Sequence, residues 1–182
     1  MSKKPTRKEK MSDAFIVLGS QYYVHARYSA ERFYLPVCVT LFHHAIEMLL
    51  KGFLSKNKSS KELKRIGHDL VALWDLFKTT TSDKVLARFD ITISRLNQVE
   101  SLRYPDIIVD EGYLLNVRLG PPTPPLDLPG TEGLKQYFIE VSELDAIATT
   151  IFKACNVAVT PYFKSAPIEL KNALPSTLRP KD

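Results

Sequence analysis

The stretch from residue 35 to residue 54, LPVCVTLFHHAIEMLLKGFL, is the longest apolar-periodic run in the sequence and constrains the fold most strongly. Pro36 lies near its start, where a proline suits the first turn of a helix. Apolar side chains recur at helical spacing and cover more of the circumference than a surface helix needs. They are Cys38, Phe42, Ala45, Ile46, Leu49 and Phe53, widened by Val37, Leu41, Met48 and Leu50. The pattern predicts a central helix wrapped by other helices.

A run of this length also invites interpretation as a membrane span, but its composition argues against that. The polar residues within it are His43, His44, Glu47 and Lys51. Each charged side chain near the centre of a bilayer costs about 2.5–3.5 kcal/mol. The first ten residues, MSKKPTRKEK, are charged and are not followed by the apolar segment of a signal peptide. Cys38 and Cys155 both lie in apolar helical context and are typical of reduced core cysteines. We therefore expect a cytoplasmic protein without membrane contact.

The rest of the chain predicts an all-α fold, an antiparallel bundle of about five helices. Ser12 and Asp13 are suitable N-cap residues for the first helix, and Asp69 lies in the first turn of the third. The predicted helices span residues 12–33, 36–55, 68–79, 83–98 and 142–160. The bundle itself is predicted at 12–160, between a disordered basic tail at 1–11 and a loose C-terminal tail at 161–182.

Residues 99–141 predict a long irregular insertion before the last helix. Five prolines between Gly120 and Gly130 exclude a helix or a central strand there. Two short apolar runs, 107–109 and 113–117, flank Asp110-Glu111-Gly112 and allow a small hairpin. Long irregular segments of this kind are usually functional or mobile, and the role of the Pro-rich loop at 119–134 stays open.

Positive charge is concentrated in two segments. Residues 1–10 carry +4 and residues 51–65 carry +5, so the net +5 of the chain leaves −4 for the remainder. Two interpretations stay open. The segments are a solvated tail and loop, or they bind an anionic partner such as RNA or a nucleotide.

Three motifs, in order along the chain, resemble the HEPN family. They are His44-Ala45-Ile46-Glu47-Met48-Leu49-Leu50-Lys51, Gly67-His68-Asp69-Leu70 and Arg103-Tyr104-Pro105. The resemblance covers roughly residues 12–160. It implies a helical bundle that is frequently a homodimer. It also implies links to RNA or nucleotide binding, often in toxin–antitoxin or phage-defence systems.

The chain departs from the family at the nuclease motif. Active RNases of the family carry an arginine followed, after four to six residues, by a histidine. Histidines occur here only at 25, 43, 44 and 68, and none follows an arginine at that spacing. The departure predicts that no residue is catalytic.

The candidate ligand-binding residues are the polar members of the three motifs. They are His44, Glu47, Lys51, His68, Asp69, Arg103 and Tyr104. In the functional interpretation Lys51 and Arg103, with His68 at the edge, hold a phosphate near Glu47. In the structural one Glu47 pairs with Lys51 four residues on, or with Arg103, and His68-Asp69 simply begins a helix.

Metal and cofactor sites are not predicted. His43, His44 and Glu47 carry zinc-type ligand atoms, but adjacent histidines on a helix point about 100° apart. A glycine-rich phosphate loop is also absent from the sequence.

The leading hypothesis is a non-catalytic HEPN-like binding module for RNA, a nucleotide or a partner protein in a toxin–antitoxin or phage-defence system. Two alternatives stay open. One is a metal-independent RNase with a non-standard active site built from residues such as His44, His68 and Arg103. The other is a purely structural dimerisation domain.

Overall fold

The computed structural model describes residues 4–180 apart from 111, 121–129, 132 and 165. Within that part the chain is mostly helical. The α-helices are α1 Arg7–Glu31, α2 Leu35–Leu54, α3 Ser60–Ile66, α4 Leu70–Thr81, α5 Asp90–Gln98, α6 Pro105–Asp110, α7 Val141–Cys155, α8 Thr160–Phe163 and α9 Ile168–Asn172. The remaining regular elements are the 3-10 helices Lys84–Phe89 and Val99–Arg103 and the strands β1 Tyr113–Arg118 and β2 Lys135–Glu140.

The prediction that the second helix is central is confirmed. α2 packs against α1, α4, α5, α7 and the second 3-10 helix. Phe42, Ile46 and Leu49 have no exposed surface. Among the described helices α2 is the one long and apolar enough to cross a membrane, yet 67% of its most apolar window is buried inside the fold. Most of its apolar surface is therefore covered by the protein itself.

The first helix begins earlier than the sequence predicts. α1 begins at Arg7 instead of residue 12 because Thr6 and Glu9 form a capping box. The Thr6 N–H donates to Glu9 Oε2 at 2.6 Å, and the Glu9 N–H donates to Thr6 Oγ1 at 3.2 Å. Residues 7–11 of the predicted disordered tail are therefore helical.

The structure differs from the prediction between the second and third predicted helices, within the fourth predicted helix and in the C-terminal segment. The linker at 56–67 contains α3, which Ser59 and Glu62 cap in the same way as α1. The predicted helix at 83–98 is divided into a 3-10 helix and α5. The prediction of a loose C-terminal tail is wrong for the described residues up to 180, because Phe163, Leu174 and Leu178 are buried against the core. Single apolar residues separated by prolines carry no period that sequence analysis could detect.

The predicted hairpin is also wrong, and so is a strictly all-α class. The run at 107–109 lies in α6, and the run at 113–117 lies in β1. β1 pairs in parallel with β2, with Tyr113 opposite Lys135 and Arg118 opposite Glu140. Parallel partners require a long connection instead of a tight turn. The five prolines fall in 121–129, outside the described residues.

Two glycines let α1 and α2 approach closely. A Cβ added at Gly19 would lie 2.8 Å from Leu49 Cγ and 3.0 Å from the Leu49 backbone nitrogen. A Cβ at Gly52 would lie 2.7 Å from Ile16 Cγ1. Ser12 Oγ donates to the Gly52 carbonyl at 2.7 Å across the same interface. The contact between these two helices depends on the missing side chains.

We expect Gly19→Ala to lower the free energy of unfolding by about 1–3 kcal/mol, because the added methyl group must push α2 away. Alanine is more favourable than glycine inside a helix, and this gain offsets about 1 kcal/mol of that loss. Denaturant unfolding measures the change. Gly120→Ala is the control, since a Cβ there meets no atom within 4 Å. Equal stability of both variants would contradict the close-packing account.

Candidate functional site

A buried carboxylate lies at the centre of α2, surrounded by the polar residues that the sequence motifs single out. Glu47 has no exposed surface. Its Oε1 accepts a hydrogen bond from Lys51 Nζ at 2.5 Å, and its Oε2 lies 3.0 Å from His68 Nδ1 and 3.5 Å from His44 Nδ1. We call these four residues the Glu47 cluster.

Local structure explains how His68 reaches α2. α3 ends at Ile66 and is followed by Gly67, whose φ of 68° turns the chain back towards α2. Lys51 Nζ also donates to the Gly67 carbonyl at 2.7 Å and fixes this turn. Asp69 then caps α4, and its Oδ1 accepts from the N–H groups of Val71 and Ala72. Asp69 is therefore a helix cap and does not belong to the cluster.

The cluster keeps Glu47 ionised. Burial raises the pKa of the Glu47 carboxyl, but the hydrogen bonds from Lys51 and His68 outweigh burial and lower the pKa below its usual value. Lys51 is only 8% exposed, and its ammonium group donates to two oxygens. That ammonium group neutralises an internal carboxylate and is not presented to an external phosphate.

A second group of polar residues, His43, Glu100 and Arg103, lies beside the cluster. His43 is 1% exposed, and burial lowers its pKa to about 4, so the ring is neutral near pH 7. Its Nε2 is 3.0 Å from Glu100 Oε2 but is not aligned as a hydrogen bond, so both ring nitrogens lack a hydrogen-bond partner within the described part of the chain. Arg103 Nη1 lies 2.7 Å from the other oxygen of Glu100.

In the structural interpretation of the sequence, Arg103 is one of two expected partners of Glu47. The structure does not pair these two residues. The carboxylate partner of Arg103 is Glu100, and the arginine guanidinium lies 4.8 Å from the centroid of the Tyr104 ring. Arg103 Nη2 also donates to the Tyr104 hydroxyl at 2.8 Å. The structure thus brings His44, Glu47, Lys51 and His68 together, while Arg103 contacts Glu100 and Tyr104.

The Glu47–His68 pair has the geometry of an oriented base. A buried carboxylate holds Nδ1, while the His68 side chain is 56% exposed. Hydrolases use a carboxylate in this way to fix the orientation of a histidine that transfers protons. The arrangement is the one feature of the predicted site with catalytic potential.

The cluster also contains potential metal ligands. One ligand atom each from His43, His44 and Glu47 lies within 4.8 Å of the others, so adjacent histidines do converge here. However, the Lys51 ammonium already compensates the Glu47 charge at 2.5 Å. A divalent cation would have to compete with that fixed positive charge, and we assign no metal to the site.

A basic cleft forms where the N-terminal ends of α1 and α3 lie side by side. Its cavity has a volume of about 350 Å³. The lining residues are Arg7, Lys8, Met11, Lys58, Ser59, Ser60 and Lys61. Ser60 Oγ lies 3.1 Å from Met11 Sδ and joins the two walls. Of the four cations, Lys58 has an acidic partner in the described chain, Glu62, at 3.6 Å.

This cleft joins the two basic segments of the sequence, which are about 50 residues apart. Both segments are visible in the sequence, but no local pattern indicates that they meet. The structure therefore offers two candidate sites, a closed Glu47 cluster and an open basic cleft.

Comparison with known proteins adds no further assignment: no protein-family model, no curated protein and no solved structure matches this chain.

We expect Glu47→Gln to lower the free energy of unfolding by about 3 kcal/mol, because it leaves the buried Lys51 ammonium without a counterion. Adding Lys51→Met should recover much of the loss. Asp75→Asn is the control, since Asp75 pairs with Lys78 at a 62% exposed position and should cost less than about 1 kcal/mol. Denaturant unfolding near pH 7 measures all three. A Glu47→Gln protein as stable as the Asp75→Asn protein would show that the cluster is not structural.

Proposed function

We propose that the chain is a non-catalytic HEPN-like binding module that holds RNA or a nucleotide at the basic cleft. The observation that carries the proposal is the convergence of the two basic segments on one cavity. Clustered cations in a concave surface raise the local concentration of polyanions and bind phosphate without base contacts.

The state of the other cations supports the same choice. Lys51 and Arg103, the two cations of the predicted phosphate site, are each paired with a carboxylate: Lys51 is buried against Glu47, and the exposed Arg103 is paired with Glu100. Arg7, Lys8 and Lys61 line an open cavity instead. An anion approaching the protein therefore meets available positive charge at the cleft and not at α2.

The broader context of the proposal rests on the HEPN resemblance. An antiparallel bundle of about five helices, a homodimer, a cytoplasmic location and a role in toxin–antitoxin or phage defence all remain proposals. Exposed apolar residues at the turn between α1 and α2 are compatible with a protein partner. Phe33 is 76% exposed, Tyr34 62% and Val37 55%.

We expect the double variant Lys58→Gln/Lys61→Gln to weaken binding of a single-stranded RNA roughly tenfold at low salt. It should also reduce the salt dependence of log K by about 0.7 for each phosphate that the protein no longer neutralises. Fluorescence anisotropy at several salt concentrations measures both. Lys84→Gln/Arg88→Gln removes the same charge from an exposed part of the first 3-10 helix and serves as the control. Equal weakening by both pairs would mean that only net charge matters and would remove the cleft from the proposal.

A metal-independent RNase is the second candidate, and the Glu47–His68 pair favours it. Lys61, Lys64 and Arg65 are exposed along α3 between the basic cleft and His68. A strand bound in the cleft and extending along α3 would bring its backbone to an oriented histidine.

We expect the purified protein not to cleave single-stranded RNA in EDTA above background, because no arginine has the required spacing from a histidine. The assay compares the unaltered protein with His68→Ala and Arg103→Ala. His25→Ala is the control, since His25 is exposed and its ring nitrogen Nδ1 lies 2.8 Å from the Gln21 carbonyl of its own helix. Cleavage that His68→Ala or Arg103→Ala abolishes and His25→Ala preserves would replace the binding module with the RNase.

A further inference from the structure

A second cavity, of about 580 Å³, adjoins the basic cleft. It lies between α1, the start of α8 and the end of α2, and we call it the α1–α8 pocket. Lys8 lines both the pocket and the cleft. The volume is within the range of pockets that enclose small ligands.

The two cavities differ in charge. In the pocket Lys8 and Lys56 are balanced by Glu9 and Asp13, whereas the cleft is lined by four cations and no carboxylate. Lys56 Nζ is also held by the Cys155 carbonyl at 2.7 Å. A ligand that fills both cavities therefore has an uncharged part joined directly to an anionic part.

The walls of the pocket suit a flat ring with polar edges. Val157 and the ring of Tyr162 supply apolar surface, and the lining also includes Ile16, which is 1% exposed. The Tyr162 hydroxyl donates to Asp13 Oδ1 at 2.9 Å, and this bond fixes the outer end of the ring. Burial and the neighbouring Asp13 raise the pKa of Tyr162 to about 12, so the hydroxyl keeps its proton. Aromatic side chains stack on unpaired bases.

We propose that the α1–α8 pocket takes the base of a nucleotide whose phosphate lies in the basic cleft, and that guanine is the preferred base. The inference rests on the proposed function, because it places the phosphate at the same cleft. Asp13 Oδ1 accepts from Tyr162, and the two oxygens of an ionised carboxylate have about four acceptor positions in all, so both can accept from further donors. Guanine presents two adjacent N–H groups on its Watson–Crick edge, and a carboxylate accepts both.

The other bases match the carboxylate less well. Adenine and cytosine each present one amino group beside an acceptor nitrogen, and uracil presents one N–H between two carbonyl oxygens. Acceptor atoms facing a carboxylate are unfavourable, and a site built for a hydrogen bond discriminates strongly against a ligand that lacks it. The same guanosine phosphate chemistry is available from a free nucleotide or from an unpaired residue of RNA.

Calorimetric titration with GMP, AMP, CMP and UMP tests base preference in the unaltered protein. We expect GMP to bind at least about tenfold more tightly than the other three. Asp13→Asn should reduce GMP affinity about tenfold and remove the preference, because an amide presents donors to the base. Binding of inorganic pyrophosphate, which occupies the cleft alone, should not change. Equal affinity for the four nucleotides, or an Asp13→Asn protein that keeps the preference, would overturn the proposal.

Two further comparisons distinguish RNA from a free nucleotide as the ligand, and failure of this inference from failure of the proposed function. If RNA is the source, an oligouridine with one central guanosine binds more tightly than oligouridine; if a free nucleotide is the source, GMP binds and the two oligonucleotides are equal. Loss of base preference while Lys58→Gln/Lys61→Gln still weakens RNA binding would end this inference and leave the proposed function intact. Failure of the unaltered protein to bind any RNA, nucleotide or pyrophosphate would end both.

Discussion

The pairing of Glu47 with Lys51 inside the most apolar helix is the interaction on which the arrangement around α2 depends. A buried charge without a partner costs several kcal/mol, so the carboxylate is tolerated only because Lys51 and His68 both contact it. Those contacts do more than neutralise a charge. Lys51 also holds the Gly67 carbonyl, and His68 comes immediately before the cap of α4. One polar cluster therefore fixes the turn that places α4 against α2.

The same pairing determines where function is expected. The motifs that resemble the HEPN family supply the cluster, but their two cations are already paired, and Lys51 is buried. Arg103 is likewise held by Glu100. Four cations line the basic cleft, which the motifs do not include. The motif residues can therefore stabilise the fold while a ligand binds elsewhere. The cluster lies at one end of α3, and the cleft lies at the other end of the same short helix.

Local sequence pattern predicts only those parts of the fold that depend on neighbouring residues. The apolar period gives α2 almost to the residue, and Asp69 caps α4. Ser12, predicted as an N-cap, lies inside α1 and donates to the Gly52 carbonyl. Features that depend on distant partners are missed. β1 and β2 are separated by the prolines and pair in parallel, and Leu174 and Leu178 are buried without any periodicity. For the same reason the sequence shows two basic segments but does not show that they meet. It also does not show that the carboxylate partner of Arg103 is Glu100 and not Glu47.

The central claim is that residues from both basic segments form one binding surface for RNA or a nucleotide. Photo-crosslinking of a single-stranded RNA that carries 4-thiouridine, followed by peptide mass spectrometry, tests it most directly. The account predicts crosslinked peptides from both walls of the cleft, the segment around Arg7–Met11 and the segment around Lys58–Lys61, with crosslinks that high salt abolishes. Crosslinks confined to the peptides that contain His68 or Arg103 would contradict it and would return the binding site to the sequence motifs.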